Sequence, residues 1–365
     1  MRIALVTPRY APDVGGVEKH VERLACHMLD RGHSVEVLTQ SAGRDFVENE
    51  QRDGVVVRRF RQIFASAEYA FAPSLGRYLR ASRERYDLVH AHNYHSLTAV
   101  AAAWSRPRAF VFTPHYHGTS ASAFRRWLHV PYRRIGGSVI RRADHVLCVS
   151  GREAGLMRRD FPWIGDKVSV IHNGVDLRQI LSATPQTETR RVILSAGRLE
   201  PYKGVDRTIE AMTHLSDEYV LRITGEGSAS PALLDQVESL GLKARVEFLG
   251  RVELASLYSW FQTASVYVTM SRIEAMPLTP LEALAAGAQV VASDIPAHRE
   301  VMEATQATVD LVSPDASPER LAATIARAAQ CQRSQRAPAV LDWADVGDRT
   351  LAVYEKAVKK PQRVS

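Results

Sequence analysis

Short apolar runs and polar, glycine-punctuated gaps alternate along the whole chain. In the first half, IALVT (3–7), VEVLT (35–39), VVVRR (55–59), LVHAH (88–92), AFVFT (109–113) and HVLCVS (145–150) are brief and rich in β-branched residues, which predicts strands. Between them the apolar period lengthens to that of a helix. Val17, Val21, Leu24, Ala25 and Met28 share one face of the segment after Gly16, and Gly32 ends it. The second half repeats the scheme with VILSA (192–196), YVLRIT (219–224), RVEFLG (245–250), VYVTM (266–270), QVVAS (289–293) and TVDLV (308–312). Strands alternating with helices build βαβ units around parallel sheets, so an α/β protein is expected. At 365 residues two domains are expected. The break falls at HNGVD (172–176), an Asn-Gly turn signal followed by a polar stretch with one proline. The expected division is 1–172, a hinge over 173–190, a second domain over 191–342, and a closing helix, WADVGDRTLAVYEKAVKK, within 343–365.

Ligands of open α/β sheets bind beyond the carboxyl ends of the strands. The chemically distinctive residues fall at such ends. Gly15-Gly16 follows the first strand, His92 closes 88–92, and His115 and His117 follow 109–113. In the second half Gly197–Lys203, Gly225-Glu226-Gly227 and Glu274 each follow a strand. Scattered structural residues would not share this placement, and two domains presenting such edges to each other would form one cleft.

Two stretches carry most of the chemistry. GRLEPYKG (197–204) sets Arg198 and Lys203 on a glycine-bounded loop, where two cations can neutralise a departing diphosphate; a solvated basic loop is the plain alternative. EAMPLTPLEALAAG (274–287) sets Glu274 on a loop and Glu282 on a short helix. Thr279 is expected as the N-cap, Pro280 at the first helical position, Glu282 where a capping box wants Glu, and Gly287 at the end. The plain reading of Glu282 is that box alone. A helix N-terminus there offers backbone N–H groups and a positive dipole end to an anion.

With Glu274 and Glu282 spaced as E-x7-E, the chain resembles the retaining glycosyltransferases of family four. The resemblance runs over nearly the whole chain and is strong at the motifs. It implies a GT-B fold: two Rossmann-like domains facing across a cleft, with the closing helix packed back on the first. It implies that Glu274 contacts the donor sugar and Glu282 the ribose, and that Arg198 and Lys203 bind the diphosphate. The GG-x-E segment places Gly15 and Gly16 by that diphosphate. Thr113-Pro114-His115 fits the family's T-x-H pattern near the reacting carbon, with His117, followed by Gly118, as the competing assignment. Met276-Pro277 replaces the usual aromatic-Gly pair, so Pro277 lacks one backbone N–H. Gly225, Val252, Met276, Pro277, Leu278 and Thr279 complete the expected nucleotide-sugar set. The activity implied is transfer of a hexose from GDP-mannose or a UDP-sugar to a glycan or lipid-linked hydroxyl, with no separate cofactor. A sugar-nucleotide epimerase or a non-enzymatic two-lobed binding protein are the alternatives.

Composition and charge refine this picture. The two longest runs without a charge, 88–105 and 254–271, are each broken up by polar residues, so no membrane span is expected, and MRIALVTPRY has too short an apolar run for a signal peptide. Three scattered cysteines without metal-ligand spacing suggest buried thiols in a reducing compartment, hence a cytoplasmic protein. Residues 1–172 hold 26 Lys/Arg against 16 Asp/Glu, a balance of +10; the remainder holds 21 against 24, a balance of −3. Basic residues and aromatics are not concentrated enough to expect nucleic acid. FRRWLHVPYRRIGGSVIRR (124–142) is basic and amphipathic, which suits either a solvated face or an anionic membrane surface. The histidines at 90, 92, 95, 115 and 117 fit no standard zinc spacing, and no Asp-x-Asp occurs anywhere. A diphosphate handled by Arg198 and Lys203, without a metal, is therefore expected.

Overall fold

A computed structural model describes residues 1–13, 15–41, 48–63, 71–116, 123–333 and 339–360, with the backbone alone over 123–132. The chain divides into two compact units, Met1–Asn173 with Trp343–Ser365, and Gly174–Asp342.

The first unit runs β1 (Arg2–Val6), α1 (Gly16–Asp30), β2 (Ser34–Ser41), β3 (Asn49–Arg52), β4 (Val55–Arg61), α2 (Pro73–Ala81), β5 (Leu88–His92), α3 (Leu97–Trp104), β6 (Phe110–Thr113), α4 (Ala123–Arg142), β7 (His145–Cys148), α5 (Gly151–Asp160) and β8 (Val168–Val170). Its strands form one sheet in the order β3-β4-β2-β1-β5-β6-β7-β8, parallel except for β3. The β-branched runs form the middle of this sheet because both faces are covered: β5 is buried at every position. Two edge strands are absent from the sequence pattern. β3, NEQR, is polar because it pairs only with β4, and β8 has three residues.

The second unit runs α6 (Leu177–Ser182), β9 (Arg191–Ala196), α7 (Val205–Ala211), β10 (Tyr219–Thr224), α8 (Ser230–Ser239), β11 (Val246–Gly250), α9 (Leu254–Thr263), β12 (Val266–Thr269), α10 (Leu278–Ala285), β13 (Gln289–Ser293), α11 (Pro296–Thr305), β14 (Asp310–Val312) and α12 (Pro318–Gln330). Its sheet is wholly parallel, in the order β11-β10-β9-β12-β13-β14. The division between the units, at Asn173 and Gly174, falls at the start of the expected hinge over 173–190, and Leu177–Ser182 within that stretch folds as α6. Its apolar Ile180 is fully buried, Gln262 donates to the Ile180 carbonyl at 2.7 Å, and Tyr258 donates to Asp176 at 2.5 Å. The polar letters around Ile180 concealed a docked helix.

The last helix, α13 (Trp343–Lys359), belongs to the first unit and packs on α1. A Cβ on Gly347 would lie 2.2 Å from the His27 ring, so glycine sets how closely the helices approach. Asp348 takes hydrogen bonds from His27 (2.8 Å) and Arg31 (2.5 Å), and Tyr354, fully buried, pairs with His90 at 2.6 Å. Among the described residues no helix is long and apolar enough to cross a membrane. Of the three cysteines only Cys148 is buried; Cys331 is exposed at the end of α12, which corrects the expectation of buried thiols.

Candidate functional site

In each sheet one gap separates strands whose connections leave in opposite directions, and ligands of such sheets bind at the carboxyl side of that gap. In the second unit the gap lies between β9 and β12. The loops leaving these two strands are 197–204 and 270–277, and they meet: Lys203 Nζ donates to Glu274 Oε1 at 2.6 Å. The Arg272 N–H also donates to the Tyr202 carbonyl at 2.8 Å, so the loops are bound at the backbone. Arg198 lies on the same loop, exposed, with its guanidinium donating to the Tyr202 hydroxyl at 3.0 Å.

Burial pushes the Glu274 carboxyl up, but the charge and hydrogen bond of Lys203, helped by the Ser271 hydroxyl, outweigh it and hold its pKa below the usual carboxylate value. Glu274 is therefore an ionised acceptor. Behind it lies a residue that sequence reasoning missed. His298, in the first turn of α11, is 1% exposed, and its Nδ1–H donates to the Ser293 carbonyl at 2.7 Å. The Ser293 hydroxyl in turn donates to the Ser271 carbonyl. Burial keeps the His298 pKa low, so the ring is a neutral acceptor at Nε2. Its only sequence signal is a histidine soon after a strand, which is too common to single out.

Glycine makes the floor of this site. A Cβ on Gly225 (φ +115°) would lie 1.9 Å from the Gly197 carbonyl oxygen, and one on Gly204 (φ +65°) 2.3 Å from that of Met270. Backbone thus packs on backbone below the loops. The Gly225 N–H donates to the Gly250 carbonyl at 2.7 Å, which brings the loop after β11, with Val252, alongside.

The capping box expected at Glu282 does not form. α10 begins at Leu278 with Pro277 as its cap residue, and no side chain caps it. The Thr279 hydroxyl instead accepts from Tyr267 at 2.7 Å, and Glu282, one turn further in, is 3% exposed. Tertiary contacts outbid the local preference because Tyr267, fully buried, needs a partner for its hydroxyl. Pro277 and Pro280 have no N–H, so Leu278 and Thr279 supply the first helical amides. Met276 is buried, and Gly287 (φ +79°) ends α10 as expected, its N–H donating to Leu284 while Ala288 donates to Ala283.

In the first unit the gap lies between β1 and β5. Gly15 is the extended cap residue of α1, and Gly16 opens that helix. His92 ends β5 and His115 follows β6, with ring centroids 5.8 Å apart. His20 of α1 stands 5.6 Å from His92 and 5.7 Å from His115, and donates to Asn173 at 3.0 Å. His90 is occupied by Tyr354 and Thr113. Burial holds His20, His90 and His92 below the ordinary histidine pKa, His20 at about 4, so these rings are neutral. Among the described residues no group of three or more His, Cys, Asp or Glu could hold a metal ion. His117 and Gly118 lie outside the described residues, as do the side chains of the first half of the basic stretch, Arg125, Arg126 and Trp127 among them.

Two α/β units, each with a sheet parallel but for β3 and a switch point at its carboxyl edge, with Lys203 paired to Glu274 over glycines in the second, have the architecture of the GT-B fold. Residues 14–179 match the family model described as Glycosyltransferase Family 4, and residues 178–339 match Glycosyl transferases group 1. The chain is a member of the family-four type of glycosyltransferase. An uncharacterized glycosyltransferase of Methanocaldococcus jannaschii is 29% identical over 83% of this chain and 83% of its own length. A glycogen synthase of Mycobacterium tuberculosis is 27% identical over 100% of this chain and 96% of its own. Among solved structures, HepE of Anabaena in complex with UDP and glucose superposes with a TM-score of 0.72 at 20% identity, covering 98% of this chain and 100% of that one.

Proposed function

We propose that this glycosyltransferase moves a hexose from a nucleotide diphosphate sugar, GDP-mannose or a UDP-sugar, to a hydroxyl of a glycan or lipid-linked acceptor, with retention of anomeric configuration. The observation that carries the reading is the Lys203–Glu274 pair on its glycine floor. Lys203 and Arg198 would neutralise the diphosphate as its charge accumulates, and the ionised Glu274 would accept a hydrogen bond from the donor sugar. Glu282 would take the ribose hydroxyls. His115 would serve the reacting carbon and Gly15 and Gly16 the phosphates, and the first unit would hold the acceptor. A donor phosphate oxygen would take the acceptor's proton, a route that needs no protein nucleophile. With two cations serving the leaving group, no divalent metal would be required.

The basic first unit supports an acceptor at an anionic surface, which would place the enzyme in the cytoplasm on the inner face of a membrane. Along α4, Arg142 lies over the Trp104 ring at 4.1 Å and Arg141 over Trp163 at 4.8 Å. Trp104, Trp163 and Ile135 are each more than two-fifths exposed, an apolar and cationic mixture suited to a headgroup layer.

The test is an assay across UDP- and GDP-sugars with acceptor extracts, followed by NMR of the product. Release of nucleoside diphosphate with a glycoside of the donor's anomeric configuration is expected. Inversion, or no release from any donor, overturns the proposal.

A further inference from the structure

Glu153 is 1% exposed and sits in the first turn of α5. Its context, Ser150-Gly151-Arg152-Glu153, spells a capping box, and the Ser150 hydroxyl performs its half by accepting from the Glu153 N–H at 3.0 Å. The carboxylate reaches beyond the helix. Oε2 accepts from the Val149 N–H at 2.7 Å, and Oε1 accepts from the Tyr116 N–H at 2.5 Å. One buried carboxylate thus ties the loop after β6 to the loop after β7.

Tyr116 follows His115, whose φ is +49°. A non-glycine residue keeps that conformation only where its surroundings hold it. Here the peptide groups on both sides are held from outside. The Pro114 carbonyl accepts from the Tyr94 N–H at 2.6 Å, and the Tyr116 N–H is taken by Glu153. The first bond is neutral; the second is charge-assisted and bridges to another strand end. Tyr116 is fixed again through its hydroxyl, which donates to Asp160 at the far end of α5 at 2.7 Å. Helix α5 is thereby a brace for the His115 loop, and Glu153 its point of attachment.

We infer that Glu153 is a positioning residue: through the Tyr116 N–H it holds His115 in the left-handed conformation that aims the ring. The inference rests on the proposed role of His115 in glycosyl transfer. Glu153→Gln retains one acceptor oxygen and turns an NH2 towards the other amide, so the two loops can no longer share it.

The full-length enzyme with a turned-over donor is the test system. Glu153→Gln should lower kcat about 10–100-fold with donor KM unchanged, as misplacement of a reacting group does. In a His115→Ala background it should lower kcat no further. Ser150→Ala, which removes the helix cap and leaves the Tyr116 bond, should leave kcat unchanged. If Glu153→Gln does not fold, Glu153→Asp, too short to span both amides, takes its place in the same comparisons. Equal kcat per folded molecule in Glu153→Gln and Ser150→Ala, or multiplying losses in the double variant, overturns the inference. A donor screen without any turnover would count against the transfer reaction, and the inference is then decided by NMR. The Tyr116 amide and His115 ring signals should move in Glu153→Gln and stay in Ser150→Ala; signals that stay in both overturn it.

Discussion

Lys203 and Glu274, 71 residues apart in sequence, meet at 2.6 Å because β9 and β12 are neighbours in the sheet although two strands separate them in the chain. Removing Lys203 would leave a largely buried carboxylate without its counter-charge. Lys203→Met should therefore destabilise the enzyme by about 1–3 kcal/mol at pH 7, and adding Glu274→Gln should restore part of it, both read by urea unfolding. The sign with pH follows from the depressed Glu274 pKa. Its stabilisation is fully present above the unfolded value and is lost as pH falls through the lower folded value, so the two proteins should converge in stability in acid.

The two glutamates should fail differently. Glu274 touches Lys203 and is partly open, whereas Glu282 is buried inside α10. Glu274→Gln should depress turnover while nucleotide affinity holds. Glu282→Gln should weaken nucleotide binding by about 1–3 kcal/mol, measured by calorimetry. Intact affinity with lowered stability would make Glu282 a packing residue only.

The leaving group should depend on cations and not on metal. Arg198 is exposed on the loop that Lys203 closes. Arg198→Ala or Lys203→Ala should lower turnover on the order of 10²–10³, and activity should survive EDTA. Loss in EDTA with recovery on adding Mg²⁺ or Mn²⁺ would sink the assignment.

His20 is fully buried and neutral, with its pKa lowered to about 4 by burial, against the pull of its bond to Asn173. The unfolded chain therefore binds a proton near pH 6.5 that the folded one does not, and stability must fall on acidification. The loss from this group should reach about 3 kcal/mol between pH 6.5 and 4. His20→Gln should flatten that part of the stability profile by close to one proton; an unchanged slope would count against a neutral His20.

Vesicle sedimentation tests the basic face. Binding to anionic but not neutral lipid, weakened by salt and by Arg141→Ala with Arg142→Ala, is expected from the pairs these residues make with Trp163 and Trp104. Equal binding to both lipids, or to neither, removes the membrane from the proposal.

What the chain determines locally was legible in its letters. The period of apolar residues located twelve of the strands, because a strand buried on both faces must be apolar and β-branched wherever it occurs. The glycines at 32 and 287 ended helices for a backbone reason that needs no neighbour. The placement of the candidate residues at strand ends followed from the same pattern. The tertiary structure decided everything that depends on who sits beside whom. Strand order brought Lys203 to Glu274, and no local pattern encodes strand order. The buried Tyr267 hydroxyl claimed Thr279 and moved the start of α10, undoing a capping box that the sequence spelled correctly. At Ser150 and Glu153 the same four-letter motif kept its cap while its carboxylate served a different loop. His298 could not be found in advance, since its character lies in its burial and in the carbonyl it faces. Local propensities differ by about 1 kcal/mol or less per residue, and a buried hydroxyl or carboxylate without a partner costs more than that, so the partner decides.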